Sequence, residues 1–135
     1  MIFCCVDTSA FYAYLVESDR FHEPVAAGMI EAVKNNRTLC STSFVLCETL
    51  GLLQIRHGMA AAGLFMERLY PLVEWIWVDE LMHQRMWELV RARKKRGFTI
   101  VDASVVACVE QRPGSVCIAV DKEMEKFGFE VLPVL

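Results

Sequence analysis

Four acidic residues stand where the surrounding sequence gives them an unusual setting. Asp7 directly follows the apolar run Ile2–Val6, and Asp121 follows Val116–Val120 in the same way. Glu48 interrupts the apolar stretch 44–53, and Asp102 interrupts the stretch 100–109. Burying an ionised carboxylate without a partner is costly, so acids inside apolar runs call for a reason. Four carboxylates brought close together repel one another and require a cation, and an all-oxygen donor set suits Mg2+ or Mn2+. Each acid also has a plainer reading. Asp7 and Asp121 are placed to cap the next helix, Thr99 and Asp102 fit a capping box, and Glu48 can reach a helix edge or pair with Arg56. Singly, caps win for Asp7 and Asp121, Asp102 is even, and Glu48 favours the site; the constellation turns the odds toward a site.

The constellation depends on the elements that carry the acids. Short apolar runs predict strands at Ile2–Val6, Thr38–Ser41, Val73–Val78, Val116–Val120 and Glu130–Leu132. Helical patterns lie between them, at Ser9–Val16, His22–Asn35, Ser43–Arg56, Met59–Leu69, Glu80–Arg96, Val101–Gln111 and Lys122–Phe127. Strands alternating with helices predict an α/β fold with a mostly parallel sheet covered on both faces. In such sheets ligands bind outside the carboxyl ends of the strands, where strand order reverses. If the first and fourth strands are neighbours there, Asp7 and Asp121 face each other, with Glu48 and Asp102 supplied by adjoining helices.

A chain of 135 residues predicts one domain, 1–135, and a hydrophobic share of 55% exceeds what a soluble core of that size needs. The surplus predicts a two-fold homodimer with further apolar surface for a partner helix. No run of about twenty apolar residues is present, which excludes a membrane-spanning helix. The opening Met1–Val16 lacks a basic leader and is broken by Asp7 and Ser9, so a cytoplasmic protein is expected. The six cysteines form no C-x-x-C pair and are expected to be buried free thiols; His22, His57 and His83 are isolated. Net charge is −3, so any grip on nucleic acid has to be local. Arg91, Arg93, Lys94, Lys95 and Arg96 form the candidate patch: a solvated helix end for any one of them, phosphate contacts for the cluster. Trp75, Trp77 and Trp87 are assigned to core or interface packing rather than base stacking.

Taken together, Ile2-Phe3-Cys4-Cys5-Val6-Asp7-Thr8-Ser9-Ala10, Ser43-Phe44-Val45-Leu46-Cys47-Glu48 and Thr99-Ile100-Val101-Asp102-Ala103 resemble, in order and spacing, the motifs of the PIN-domain family, and specifically the VapC-like toxins of VapBC toxin–antitoxin modules. The resemblance covers essentially the whole chain. It departs from the family at the fourth motif, where Ala119 replaces a frequent serine or threonine and Met124 replaces an aromatic, with Phe127 further on. It implies a PIN-like, Rossmann-like three-layer α/β/α fold with strand order 3-2-1-4-5. It also implies a Mg2+- or Mn2+-dependent endoribonuclease acting on an RNA substrate, with a cognate antitoxin protein. Asp7, Glu48, Asp102 and Asp121 would be direct or water-mediated ligands, with Thr99 and Thr8 as hydroxyl helpers and Glu123 able to share the role of Asp121. In-line attack would leave a 5′-phosphate and a 3′-hydroxyl. Two other readings stay open: an inactive PIN-like RNA-binding or assembly module, and a phosphoryl-transfer domain with Asp7 as nucleophile. The latter wants a second aspartate where Ser9 stands.

Overall fold

Three successive residues of the first strand, Cys4, Cys5 and Val6, are all buried. Side chains alternate across a strand, so this happens only where both faces of a sheet are covered. The computed structural model describes residues 2–133, and in it this strand, β1 (Ile2–Val6), is the central one. Beside it run β2 (Arg37–Thr42), β3 (Glu74–Ile76), β4 (Val116–Ile118) and β5 (Val131–Leu132). The order is β3-β2-β1-β4-β5 and every neighbouring pair is parallel, which is the expected 3-2-1-4-5 arrangement.

Parallel neighbours need crossovers, supplied by α1 (Thr8–Leu15), α2 (His22–Lys34), α3 (Ser43–His57), α4 (Met59–Arg68), α5 (Glu80–Arg93) and α6 (Ile100–Gln111). Right-handed crossovers that step outward from β1 to β3 put α1 to α4 on one face. The return from β3 to β4 reverses direction and puts α5 and α6 on the other. Burial follows this layering. Met82, Met86 and Leu89 form the single buried stripe of α5, whereas α6 is buried continuously from Ala103 to Val109 because it lies between the sheet and α5.

Two local features differ from expectation. The segment Lys122–Phe127 is helical but of the tighter 3-10 type, and α5 stops at Arg93 rather than Arg96. Lys94 ends α5 with φ of 50°, a left-handed conformation that glycine adopts without steric cost. Lys94→Gly is therefore expected to stabilise the fold by about 0.5–1 kcal/mol. A urea midpoint that fails to rise in this variant would show that the lysine side chain offsets the strain.

The thiols are free, as expected, and five of the six are buried; Cys47 is exposed. Cys40, Cys5 and Cys117 are register partners across β2, β1 and β4 and so share one face of the sheet. Cys108 of α6 closes over them, its sulfur 3.1 Å from that of Cys5, which is 3.2 Å from that of Cys40. Burial pushes the Cys4 thiol up to about 12 and raises Cys117 well above the ordinary range, which keeps both protonated.

Candidate functional site

The carboxyl ends of β1 and β4 are joined by backbone and side-chain bonds. The Asp7 amide donates to the Ile118 carbonyl at 3.0 Å, and the Val120 amide donates to the Ser9 hydroxyl at 3.1 Å. Ala119, where the family often carries a hydroxyl, is fully buried, and the hydroxyl at this junction comes from Ser9.

All three aspartates act as caps. Asp7 Oδ1 accepts from the Thr8 amide at 2.7 Å at the start of α1. Asp102 Oδ2 accepts from the Thr99 amide at 2.9 Å, completing the capping box of α6. Asp121 Oδ1 accepts from the Glu123 amide at 2.9 Å. Capping and a shared site are compatible, because all three also line one cleft of about 320 Å³ together with Glu48. The caps fix the side chains that face it.

Glu48 requires a correction. It does not interrupt a helix buried on all sides: α3 buries Val45, Leu46, Thr49 and Leu53, while Cys47 and Glu48 are exposed on the other face. Its carboxylate borders the cleft rather than the core. Nor does it pair with Arg56; among the described residues its carboxylate has no ion-pair partner. The helices that carry Glu48 and Asp102 are tied by the Thr42 hydroxyl, which caps α3 and lies 2.8 Å from the Ser104 hydroxyl of α6.

Electrostatics single out Asp7, which is 5% exposed. Burial and then the Asp102 carboxylate push it up to about 7; the Thr8 amide opposes them, and Glu48 and Asp121 add to the rise. Asp102 is also raised, by burial first, against the bonds from Thr99, with Glu48 and Asp121 adding to it. The donor set fits a hard divalent cation. It is all oxygen, its mutual repulsion is what such an ion relieves, and the Thr8 hydroxyl on the same cleft is buried with no partner. The carboxylates do not close tightly: among the described residues, only Cys5, Cys40 and Cys108 bring three ligand-type atoms within 4.8 Å of one another.

Other expected residues lie elsewhere. The basic patch does not reach the cleft. Arg93 and Lys95 both bond to Glu123, Lys95 at 2.6 Å, and Arg91 and Lys94 border a separate hollow beside Glu88. Arg96 is exposed and does not line the cleft either. Lys95 and Arg93 hold Glu123 down to about 2, so it is committed to ion pairs rather than to sharing the role of Asp121. Thr99 is absent from the cleft lining, and its hydroxyl bonds to Asp102 at 3.1 Å. Trp75 packs on Tyr70 and Phe11, whereas Trp77 and Trp87 are exposed.

The cleft also contains Ser9, Tyr12, Asp19 and Arg56, none of which was assigned to it from the sequence. The spacing Glu48, Leu52, Arg56 was the available signal, since residues four apart share a helix face and all three line the cleft.

With this geometry in place, the comparisons are decisive for the family. Residues 4–130 match the PIN domain. The chain belongs to the PIN-domain family. No curated protein sequence matches it. Among solved structures this PIN domain is similar to VapC20 of Mycobacterium tuberculosis, described as a sarcin-ricin loop cleaving toxin, with 26% identity and a TM-score of 0.79 over 96% of this chain and 99% of that one. It shares its fold with the DNA-bound VapBC of Salmonella typhimurium, at 16% identity, a TM-score of 0.72 and 98% coverage of both chains. PAE2754 of Pyrobaculum aerophilum has the same fold, at 19% identity and a TM-score of 0.65 over 96% of this chain and 89% of that one.

Proposed function

We propose that this PIN domain is a VapC-like toxin that hydrolyses RNA phosphodiesters with Mg2+ or Mn2+ held by Asp7, Glu48, Asp102 and Asp121. The observation that carries the reading is the convergence of four carboxylates from four separate elements on one cleft at the ends of β1 and β4. The 26% identity to a toxin described as cleaving the sarcin-ricin loop supports RNA as the substrate. When bound, the ion supplies an activated water and neutralises charge on the scissile phosphate, consistent with a 5′-phosphate and a 3′-hydroxyl product. Asp7 is the acid whose affinity for a proton is raised by burial first and then by its neighbours, so it would give up that proton on holding the ion. Asp102 and Asp121 are held in place by their caps, Glu48 approaches from the solvent side, and the Thr8 hydroxyl lies next to Asp7.

A cytoplasmic toxin of this kind has a cognate antitoxin and forms a homodimer. The apolar hollow formed by Met29, Ile30, Val33, Leu39, Leu69 and Leu72 supports the first, as a seat for an antitoxin helix. Exposed Ile55 and Met59 at the junction of α3 and α4 support the second. No helix of the described residues is long and apolar enough to cross a membrane.

The purified protein is expected to cut single-stranded or looped RNA with Mg2+ or Mn2+ and to stop in excess EDTA. Equal cleavage in EDTA, or activity that needs zinc, would sink the metal-carboxylate reading.

A further inference from the structure

Among the described residues, five carboxylates line the cleft, those of Asp7, Asp19, Glu48, Asp102 and Asp121, and one cationic side chain, that of Arg56. Every phosphate of an RNA strand is negative, so a metal ion at the acids accounts for one phosphate and leaves the rest of the strand repelled. Holding the strand in register needs a cation elsewhere on the cleft wall. We propose that Arg56 is that cation: it grips the phosphate flanking the one that is cut, on a single-stranded RNA, with Tyr12 and His57 as its positioning residues. This assignment rests on the nuclease reading of the same cleft.

The geometry of Arg56 supports the role. Among the described residues, three of the nine arginines, Arg85, Arg93 and Arg112, are neutralised by a glutamate, and of the six that are not, Arg56 is the one that lines the cleft. Arg56 has no ion-pair partner among the described residues, although five acids share its cleft. Its guanidinium lies 5.3 Å from the centre of the Tyr12 ring, and the Tyr12 hydroxyl is in turn 2.8 Å from His57 Nε2. Stacking on a ring holds the planar group while leaving its N–H edge available, the arrangement that allows two parallel bonds to a phosphate. Arg56 stands eight residues beyond Glu48 on α3, a rise of about 12 Å. That sets Arg56 apart from Glu48 along the same wall of the cleft, so its side chain is offered to a phosphate beside the one held at Glu48.

Two measurements test the assignment. The first is binding of a short single-stranded RNA in EDTA across a salt series, which requires no cleavage. Arg56→Ala is expected to weaken binding about tenfold at low salt and to reduce the slope of log K against log salt by about 0.7. Arg56→Lys should restore the slope but not the full affinity. Arg91→Ala, outside the cleft, should change neither. The second is cleavage of an RNA carrying one neutral methylphosphonate at the linkage beside the cut. Wild type should lose about tenfold in kcat/KM, a loss comparable to removing one charge-assisted bond, while Arg56→Ala should not discriminate. Tyr12→Phe keeps the ring but loses the bond to His57, and should raise KM without lowering kcat.

Unchanged affinity and slope in Arg56→Ala overturn the assignment, as does an equal loss in Arg91→Ala. If wild type fails to cleave with any metal while Arg56→Ala still loses RNA, the nuclease reading falls and the contact stands.

Discussion

Asp7→Asn is expected to stabilise the protein in EDTA while lowering cleavage in Mg2+ by roughly a hundredfold or more. The two effects share one cause. In the metal-free protein, Asp7 is buried beside Asp102 and within the field of Glu48 and Asp121, so its ionised form is disfavoured. Asparagine removes the charge but still accepts the Thr8 amide bond, because Asn and Asp are comparable caps. A purely structural Asp7 predicts a change near zero in stability and no loss of activity. Asp102→Asn should move the same way with a smaller gain, since weakening its capping box costs about 1 kcal/mol against the relief of repulsion. Mg2+ should stabilise wild type by mass action and leave Asp7→Asn nearly unmoved. Thermal melts in EDTA and in Mg2+ decide the matter: an unchanged or lower melting point for Asp7→Asn in EDTA, with no Mg2+ response in wild type, would reduce these aspartates to caps.

The pH dependence of stability should have an unusual sign. In the unfolded chain the Asp7 carboxyl has its ordinary value of 3.8, and in the folded protein it is raised to about 7. Between those two values the folded state holds more protons than the unfolded state, so stability in EDTA falls as pH rises from about 4 to about 7 and levels off above that. The loss is on the order of 4 kcal/mol at most, from about 1.4 kcal/mol per tenfold of proton affinity. Asp102 is raised as well and acts in the same direction. Glu123 acts in the opposite direction, but it is held down to about 2 from 4.5 and titrates below most of the window. The Mg2+-induced gain should therefore be larger at pH 8 than at pH 5. Urea midpoints at the two pH values, with and without Mg2+, check this; a metal-free protein that is more stable at pH 8 would refute the raised Asp7.

The layout of strands and helices was legible because apolar runs and caps are local. Thr99 and Asp102, three residues apart, specify the start of α6 without reference to anything else. The strand order came from resemblance to a family, since register between β1 and β4 is set by residues more than a hundred positions apart. Glu48 was placed in the site for a wrong reason. The dense apolar stretch around it suggested burial on all sides, yet Phe44, Leu50 and Leu52 are only partly covered, so the helix has an open face and the acid lies on it. In the basic stretch 91–96, Arg93 and Lys95 are taken up by Glu123 about thirty residues away, and nothing local announces that these ion pairs close. Arg56 is within reach of the helical spacing from Glu48, although the sequence by itself offers it as that residue's neutralising partner.

The uneven exposure of the thiols offers a practical handle. Five of the six sulfhydryls are sealed in the interior, and the remaining one, Cys47, is adjacent in sequence to Glu48 on the open side of α3. A maleimide dye added to the native, unmutated chain should therefore attach at a single position, one residue from Glu48. Its emission would report ion loading or strand docking in real time, without a cysteine-free background having to be engineered first.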